Sequence, residues 1–145
     1  MHQLLHMFHP ALMGVLILVA LYVFYTGTQR ARMLHLGHKT RFAYGRHVFL
    51  GALVVLGMLL GMPGGMYFAW HRTGEIGSTG WHFVNAVWYI LPLLVLGGGA
   101  GWLMHVRRAK RLLIPVFHGL CMVLLVALAL CQASTGVLIL RSTPY

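Results

Sequence analysis

Ten histidines in a chain that is 59% hydrophobic and only 8% charged call for an explanation. An ionisable side chain inside an apolar segment is costly and marks a ligand site, a proton relay or a substrate pathway. Four of the ten, His9, His47, His82 and His118, each fall in the first third of one long apolar stretch. A neutral imidazole is a common metal ligand. Two imidazoles on opposite faces of a porphyrin fill both axial positions of haem iron, and the apolar macrocycle is then buried between helices. Zinc suits the pattern less well, since four ligands split between two membrane depths cannot converge on one tetrahedral centre. A lone histidine near a helix end is more often an interfacial residue than a ligand. The argument for ligation rests on the matched set.

The elements that must position these residues are four apolar stretches, about His9 to Thr28, Arg46 to Phe68, Trp81 to Val106 and Leu113 to Leu140. Each is long enough to cross a hydrocarbon core of about 30 Å, which takes roughly 20 helical residues. The runs are continuously apolar rather than alternating, so helices are expected and not a barrel. The expected fold is an all-α membrane protein, a four-helix transmembrane bundle with up-and-down topology, forming one domain over residues 1–145. Successive helices run in opposite directions. His9 and His82 therefore fall toward one side of the membrane, and His47 and His118 toward the other. In such a bundle the first helix can face the third and the second can face the fourth. The expected layout is two stacked b-type haems, with His9/His82 and His47/His118 as the iron's axial ligands.

The residues also resemble a known family. HPALM opens the first helix, RHVFLG the second and WHFVNAVWY the third, PVFHGL lies in the fourth, and the first helix leaves through a Tyr-Thr-Gly and Arg-rich exit. This pattern is similar to the four-helix core of the cytochrome b561 superfamily over essentially the whole chain. The resemblance implies that His9, His47, His82 and His118 are axial ligands, paired first with third and second with fourth helix. The chain lacks the two flanking helices of six-helix members, which counts against an ascorbate-type substrate site.

The net charge of +10 is placed unevenly. Arg30, Arg32, Lys39, Arg41 and Arg46 lie in or beside the first connection and Arg107, Arg108, Lys110 and Arg111 in the third, whereas only Arg72 and Arg141 fall on the other side. By the positive-inside rule the first and third connections are cytoplasmic, and both termini and the second connection are outside. Topology and contact with anionic lipid account for this charge better than nucleic-acid binding. A bacterial inner membrane is the expected location. No cleavable targeting segment is expected, because no Lys or Arg precedes the first apolar run.

Other residues are read more plainly. Tyr67, Trp70 and Trp81 toward the outside, and Tyr22, Tyr25, Tyr44 and Trp102 toward the inside, have the distribution of interfacial anchors. Gly57, Gly61 and Gly65 recur at four-residue spacing, and Gly97, Gly98, Gly99 and Gly101 cluster, as helix packing or a flat ligand requires. Pro63, Pro92 and Pro115 are each expected to kink or interrupt a helix. Cys121 and Cys131 are about 15 Å apart by helical rise, too far for a disulfide. His2 and His6 share a helical face with His9. His35 and His38 lie in the basic connection. His71 and His105 offer the alternative pairs His71/His82 and His47/His105.

No Gly-rich dinucleotide fingerprint and no soluble domain accompany the helices. Electrons must then come from and go to a quinone, a small reductant or a partner protein. The expected role is a membrane electron-transfer subunit of a redox complex, which leaves open whether the chain is an enzyme by itself. An outer quinone site would need Glu75, the sole carboxylate, or His71 as base. Lys39, Arg41, Arg46 and Arg107 could pair with haem propionates or attract an anionic donor. Two other classes stay open: a haem-free scaffold or assembly subunit, and a histidine-based proton or metal transporter, for which the near absence of Asp and Glu is unfavourable.

Overall fold

The computed structural model describes residues 2–107 and 113–142, with the side chains of residues 2–6 left out. The third connection beyond Arg107, with Arg108, Lys110 and Arg111, lies outside the described residues, as do the side chains of His2 and His6.

Four helices, each long and apolar enough to cross a membrane, mark an integral membrane protein: α1 (His2–His35), α2 (Tyr44–Thr73), α3 (Trp81–Val106) and α4 (Leu113–Ser142). No strand occurs among the described residues. Helix α1 runs past the expected Thr28, and α2 starts before Arg46 and runs past Phe68. The apolar stretch ends at the membrane boundary, but good helix formers such as Gln29, Arg30, Ala31 and Arg32 carry the backbone hydrogen bonding into the aqueous layer. Helix α2 stops at Gly74, whose φ of 76° is left-handed and whose N–H closes onto the Trp70 carbonyl at 2.7 Å. Glycine takes that conformation without a Cβ penalty.

Neither Pro63 nor Pro92 breaks its helix, and Pro115 sits in the first turn of α4. Pro92 follows a π-helical segment, Asn85–Ile90, within α3. A proline has no N–H to give and its ring crowds the carbonyl one turn back. The wider turn just before it, with the Leu91 N–H reaching the Ala86 carbonyl, places one extra residue in α3 where that crowding would fall.

Helix α1 packs on α2 and α4, and α3 packs on α2 and α4, which leaves α1/α3 and α2/α4 facing diagonally across the interior. The core is one cluster made of Leu16, Ala20, Val54, Met58, Met62, Ile90, Leu94, Leu125 and Ala129. Leu18, Phe49, Leu60, Leu113 and Leu138 are among the large apolar residues on the outer faces, as a lipid-facing surface requires. Lipid tails are as apolar as leucine, so close fit rather than hydrophobic burial holds such helices together. The glycine stripe of α2 supplies that fit: a Cβ on Gly57 would lie 2.8 Å from Leu16, and one on Gly61 2.7 Å from the Met13 sulfur. Both contacts are on α1, so these glycines serve helix packing.

Candidate functional site

The four histidines fall at two levels. At the end shared by the exit of α1 and the start of α2, the His47 and His118 rings lie with centroids 6.5 Å apart and planes at 78°. They belong to the diagonal pair α2/α4. At the opposite end lie His9 of α1 and His82 of α3, of the other diagonal pair. All four rings are half-buried.

Each ring rests on a glycine of the neighbouring antiparallel helix. His9 of α1 lies against Gly65 of α2, and His47 of α2 against Gly27 of α1. His82 of α3 lies against Gly136 of α4, and His118 of α4 against Gly101 of α3. A Cβ on Gly65 would lie 2.6 Å from His9 Cε1, whereas those on Gly101, Gly136 and Gly27 would lie 3.1, 3.3 and 3.4 Å from the Cε1 atoms of their histidines. A side chain at Gly65 would therefore occupy the space of the His9 ring; Gly101 and Gly136 are tight, and Gly27 is at ordinary contact distance.

The hydrogen bonds fix which nitrogen of each ring is free. His118 Nδ1 is 2.8 Å from the Gly97 carbonyl, an acceptor only, so Nδ1 carries the proton. His47 Nδ1 is 2.8 Å from Thr26 Oγ1, and that hydroxyl gives its single proton to the Val23 carbonyl at 2.8 Å. The hydroxyl can then only accept from the ring. His82 repeats the arrangement, with Nδ1 2.9 Å from Thr135 Oγ1 and that hydroxyl donating to the Gln132 carbonyl at 3.0 Å. In three rings, therefore, Nδ1 is the donor and Nε2 keeps the lone pair, the tautomer in which a histidine binds a metal through Nε2. His9 is the exception. Its Nδ1 is buried with no hydrogen-bond partner among the described residues, although the Gly61 carbonyl lies close by.

A second polar chain braces the His82 level. Asn85, 2% exposed, donates to the Gln132 side-chain oxygen at 2.8 Å, and Gln132 Nε2 donates to the His82 carbonyl at 2.9 Å. This ties the start of the π segment to α4.

Gly65, Gly97 and Gly101 stand out in the sequence as packing glycines, but their pairing with the histidines, and the parts of Gly27, Gly136, Thr26 and Thr135, do not; the sequence nevertheless carries a signal for the glycines. In α1, α2 and α4 the glycine follows the histidine of the same helix by eighteen residues, from His9 to Gly27, His47 to Gly65 and His118 to Gly136. Eighteen residues are five turns, so both point to one face, about 27 Å apart along the axis. The residues seven and eleven after each of these histidines are Leu16 and Ala20, Val54 and Met58, Leu125 and Ala129, all in the buried core. In α3 each offset is one larger, giving Ile90, Leu94 and Gly101. The π segment between His82 and these positions absorbs the extra residue and keeps the stripe in register. Two apolar layers thus separate the two histidine levels.

The remaining histidines lie apart. His105 Nδ1 is 2.9 Å from the Tyr44 hydroxyl, and His71 sits beside Tyr67 with ring centroids 6.0 Å apart. Among the described residues no ring contact joins His71 to His82 or His47 to His105. His35, His38 and Glu75 are exposed. Arg41 and Arg46 line a cleft of about 440 Å³ that also includes Tyr22, Gln29 and the buried Thr26, and Arg46 donates to the Tyr22 hydroxyl at 3.3 Å.

The ring spacing at the His47/His118 level fits a bis-histidine haem. Two metal–nitrogen bonds of about 2 Å each, with the rings beyond them, put imidazole centroids about 6 Å apart, close to the observed 6.5 Å. Among the described residues no three His, Cys, Asp or Glu side chains converge on one point. No protein-family model, curated protein or solved structure matches the chain.

Proposed function

We propose that the protein is a di-haem b-type cytochrome that carries electrons across the membrane. In this reading His47 and His118 hold one haem and His9 and His82 the other. The observation that carries it is the pairing of a defined tautomer with a cradle: three of the four rings have Nδ1 committed as donor, and all four rest on glycine. Haem supplies one-electron chemistry when bound; the chain sets its position and its surroundings.

The residues divide the remaining work. Thr26, Thr135 and the Gly97 carbonyl hold three imidazoles in orientation and make them better ligands. Leu16, Val54, Ile90, Leu125 and the layer beneath them exclude water between the levels. The cleft with Arg41 and Arg46 suits a propionate or a small anionic reductant. The resemblance to the cytochrome b561 superfamily supports the same reading. So does the charge distribution, which favours a bacterial inner membrane with the Arg-rich end in the cytoplasm and both termini outside. With no soluble domain among the described residues, the donor and acceptor are a quinone or small reductant on one hand and a protein partner on the other, the chain acting as the membrane subunit of a redox complex.

The test is direct. Protein purified in detergent from haem-replete cells should give a b-type reduced spectrum and, by pyridine haemochrome, about two haems per chain. Each of His9→Ala, His47→Ala, His82→Ala and His118→Ala should lose one of the two. A colourless protein would refute the proposal and leave the scaffold and transporter readings standing.

A further inference from the structure

Outside the two histidine levels, a tyrosine and a histidine are joined by a hydrogen bond between helices. The Tyr44 hydroxyl, at the start of α2, and His105 Nδ1, in the last turn of α3, are 2.9 Å apart. Their rings stack with centroids 6.2 Å apart and planes 23° from parallel. Trp102, one turn before His105, adds a third ring at 6.1 Å. All three are exposed on the outer face of the bundle, Trp102 by 70%, at the boundary where the apolar stretch gives way to Arg107. The group is therefore open sideways to the bilayer.

The same group connects inward. The Tyr44 ring lies 6.3 Å from that of Phe42, and Phe42 lies 5.3 Å from His47. Consecutive ring contacts thus run from Trp102 on the surface through His105, Tyr44 and Phe42 to His47 and on to His118.

We infer that Tyr44, His105 and Trp102 form the site where a membrane-dissolved quinol or quinone exchanges electrons with the protein; the inference rests on the haem reading above. The chemistry of the pair fits both oxidation states of such a carrier. A tyrosine hydroxyl can donate or accept, and a neutral imidazole carries its proton on either nitrogen. With Nδ1–H donating to Tyr44, His105 Nε2 has a lone pair that accepts the O–H of a quinol. With the Tyr44 O–H donating to Nδ1, His105 Nε2–H donates to a quinone carbonyl. Trp102 offers a flat apolar surface for the carrier's ring.

The balance is that of a two-electron, two-proton carrier. One quinol becomes one quinone, its two O–H bonds are broken, and the two electrons would be taken up by haem held at the histidine levels, one at each. Each proton passes to His105 Nε2 and from there to water at the exposed edge of the ring. Each electron leaves by way of Phe42 and His47. The reverse direction uses the same contacts.

The experiment uses the purified holoprotein and duroquinol as probe, with the rate of haem reduction followed by stopped flow. Dithionite, which needs no proton acceptor on the protein, is the control reductant. His105→Phe keeps an aromatic ring and removes the acceptor. It should slow reduction by duroquinol at least 100-fold, the scale of a lost general base, while haem content, the reduced spectrum and the dithionite rate stay as in the unmodified protein. Tyr44→Phe should slow the duroquinol reaction about 10-fold, since it loses the hydroxyl but keeps the ring contact with Phe42. A His105→Phe protein reduced by duroquinol at the unmodified rate would overturn the inference, as would a loss that instead follows His71→Phe or Glu75→Gln. A colourless unmodified protein would overturn the haem reading and this inference with it. A coloured protein with an indifferent His105 would overturn this one alone.

Discussion

The four glycines that carry the histidine rings differ in how much room they leave, and this ranks the damage a single methyl group should do. A Cβ at Gly65 would stand 2.6 Å from His9 Cε1, 2.8 Å from Nε2 and 3.1 Å from Nδ1. Carbon atoms in ordinary contact are about 3.5–4.0 Å apart, so Gly65→Ala must push the ring back by about 1 Å. It meets a whole edge of the imidazole, and turning the ring in its own plane brings no relief. Overpacking of this kind costs about 1–3 kcal/mol, against about 0.5–1 kcal/mol gained when alanine replaces glycine inside a helix. The net loss is about 1–2 kcal/mol, and a displaced ligand should weaken haem binding at that level about 10- to 100-fold. At Gly27 the corresponding contact is 3.4 Å, ordinary packing distance, so Gly27→Ala should be neutral or slightly stabilising. Gly101→Ala and Gly136→Ala, at 3.1 and 3.3 Å, should fall between. The assay is haem per chain by pyridine haemochrome, together with the thermal unfolding midpoint in one detergent. If Gly27→Ala lost more haem or more stability than Gly65→Ala, the argument from ring and glycine contact would be refuted.

Three further outcomes follow from the same geometry. Thr26→Val and Thr135→Val keep shape but remove the acceptor for His47 and His82 Nδ1, and each should weaken haem affinity at its own level by about 10- to 100-fold; equal affinity in a haem titration of the apoprotein would count against the assigned tautomers. Removing Trp88 from the π segment should be tolerated, because it converts α3 to the eighteen-residue spacing of the other helices, whereas removing Val15 from α1 turns His9 about 100° off its stripe and should cost one haem; haem counts on the two deletions check this. Leu94→Ala, at a side chain fully buried between the two levels, should cost about 2–5 kcal/mol through the cavity it leaves, read as a lowered unfolding midpoint with both haems present in the folded fraction.

The four helices could be read from the sequence because a membrane span announces itself by uninterrupted apolar length, a property of the chain alone. The helix ends in α1 and α2 could not, since Gln29 to His35 and Tyr44 are held by helix propensity and by contacts across the basic end, not by hydropathy. Pro63 and Pro92 mark local crowding in the sequence, but whether the α-helix runs on, as α2 does through Pro63, or is interrupted by a π segment, as before Pro92, depends on how the surroundings absorb it. The grouping of histidines into two levels followed from antiparallel order. Their supports did not, because the partner of His47 is Thr26 and Gly27 on another helix, and nothing in either stretch alone joins them. Only the offset from histidine to glycine within each helix holds that information, and in α3 an added residue conceals it. Tyr44 was legible as an interfacial aromatic; its bond to His105 depends on two helix ends meeting in space.

The placing of histidine and glycine on one stripe has a mechanical consequence. Each helix presents a histidine to one level and, five turns away, a glycine to the other, so every helix takes part in both. A helix cannot stretch appreciably between these points, because its own hydrogen bonds set the rise per residue. If α2 slid along its axis relative to α1, Gly65 would move off the His9 ring and His47 off Gly27 by the same distance, and the Thr26 bond would be lost with them. The two levels are therefore held in register by the same contacts, although two layers of apolar side chains keep them apart. This explains why the extra residue in α3 is taken up by a π segment placed between His82 and Ile90. There it leaves His82 on Gly136, Gly101 on His118 and both core layers closed, whereas an uncompensated insertion beyond Leu94 would have kept three of these and rotated Gly101 out of the fourth.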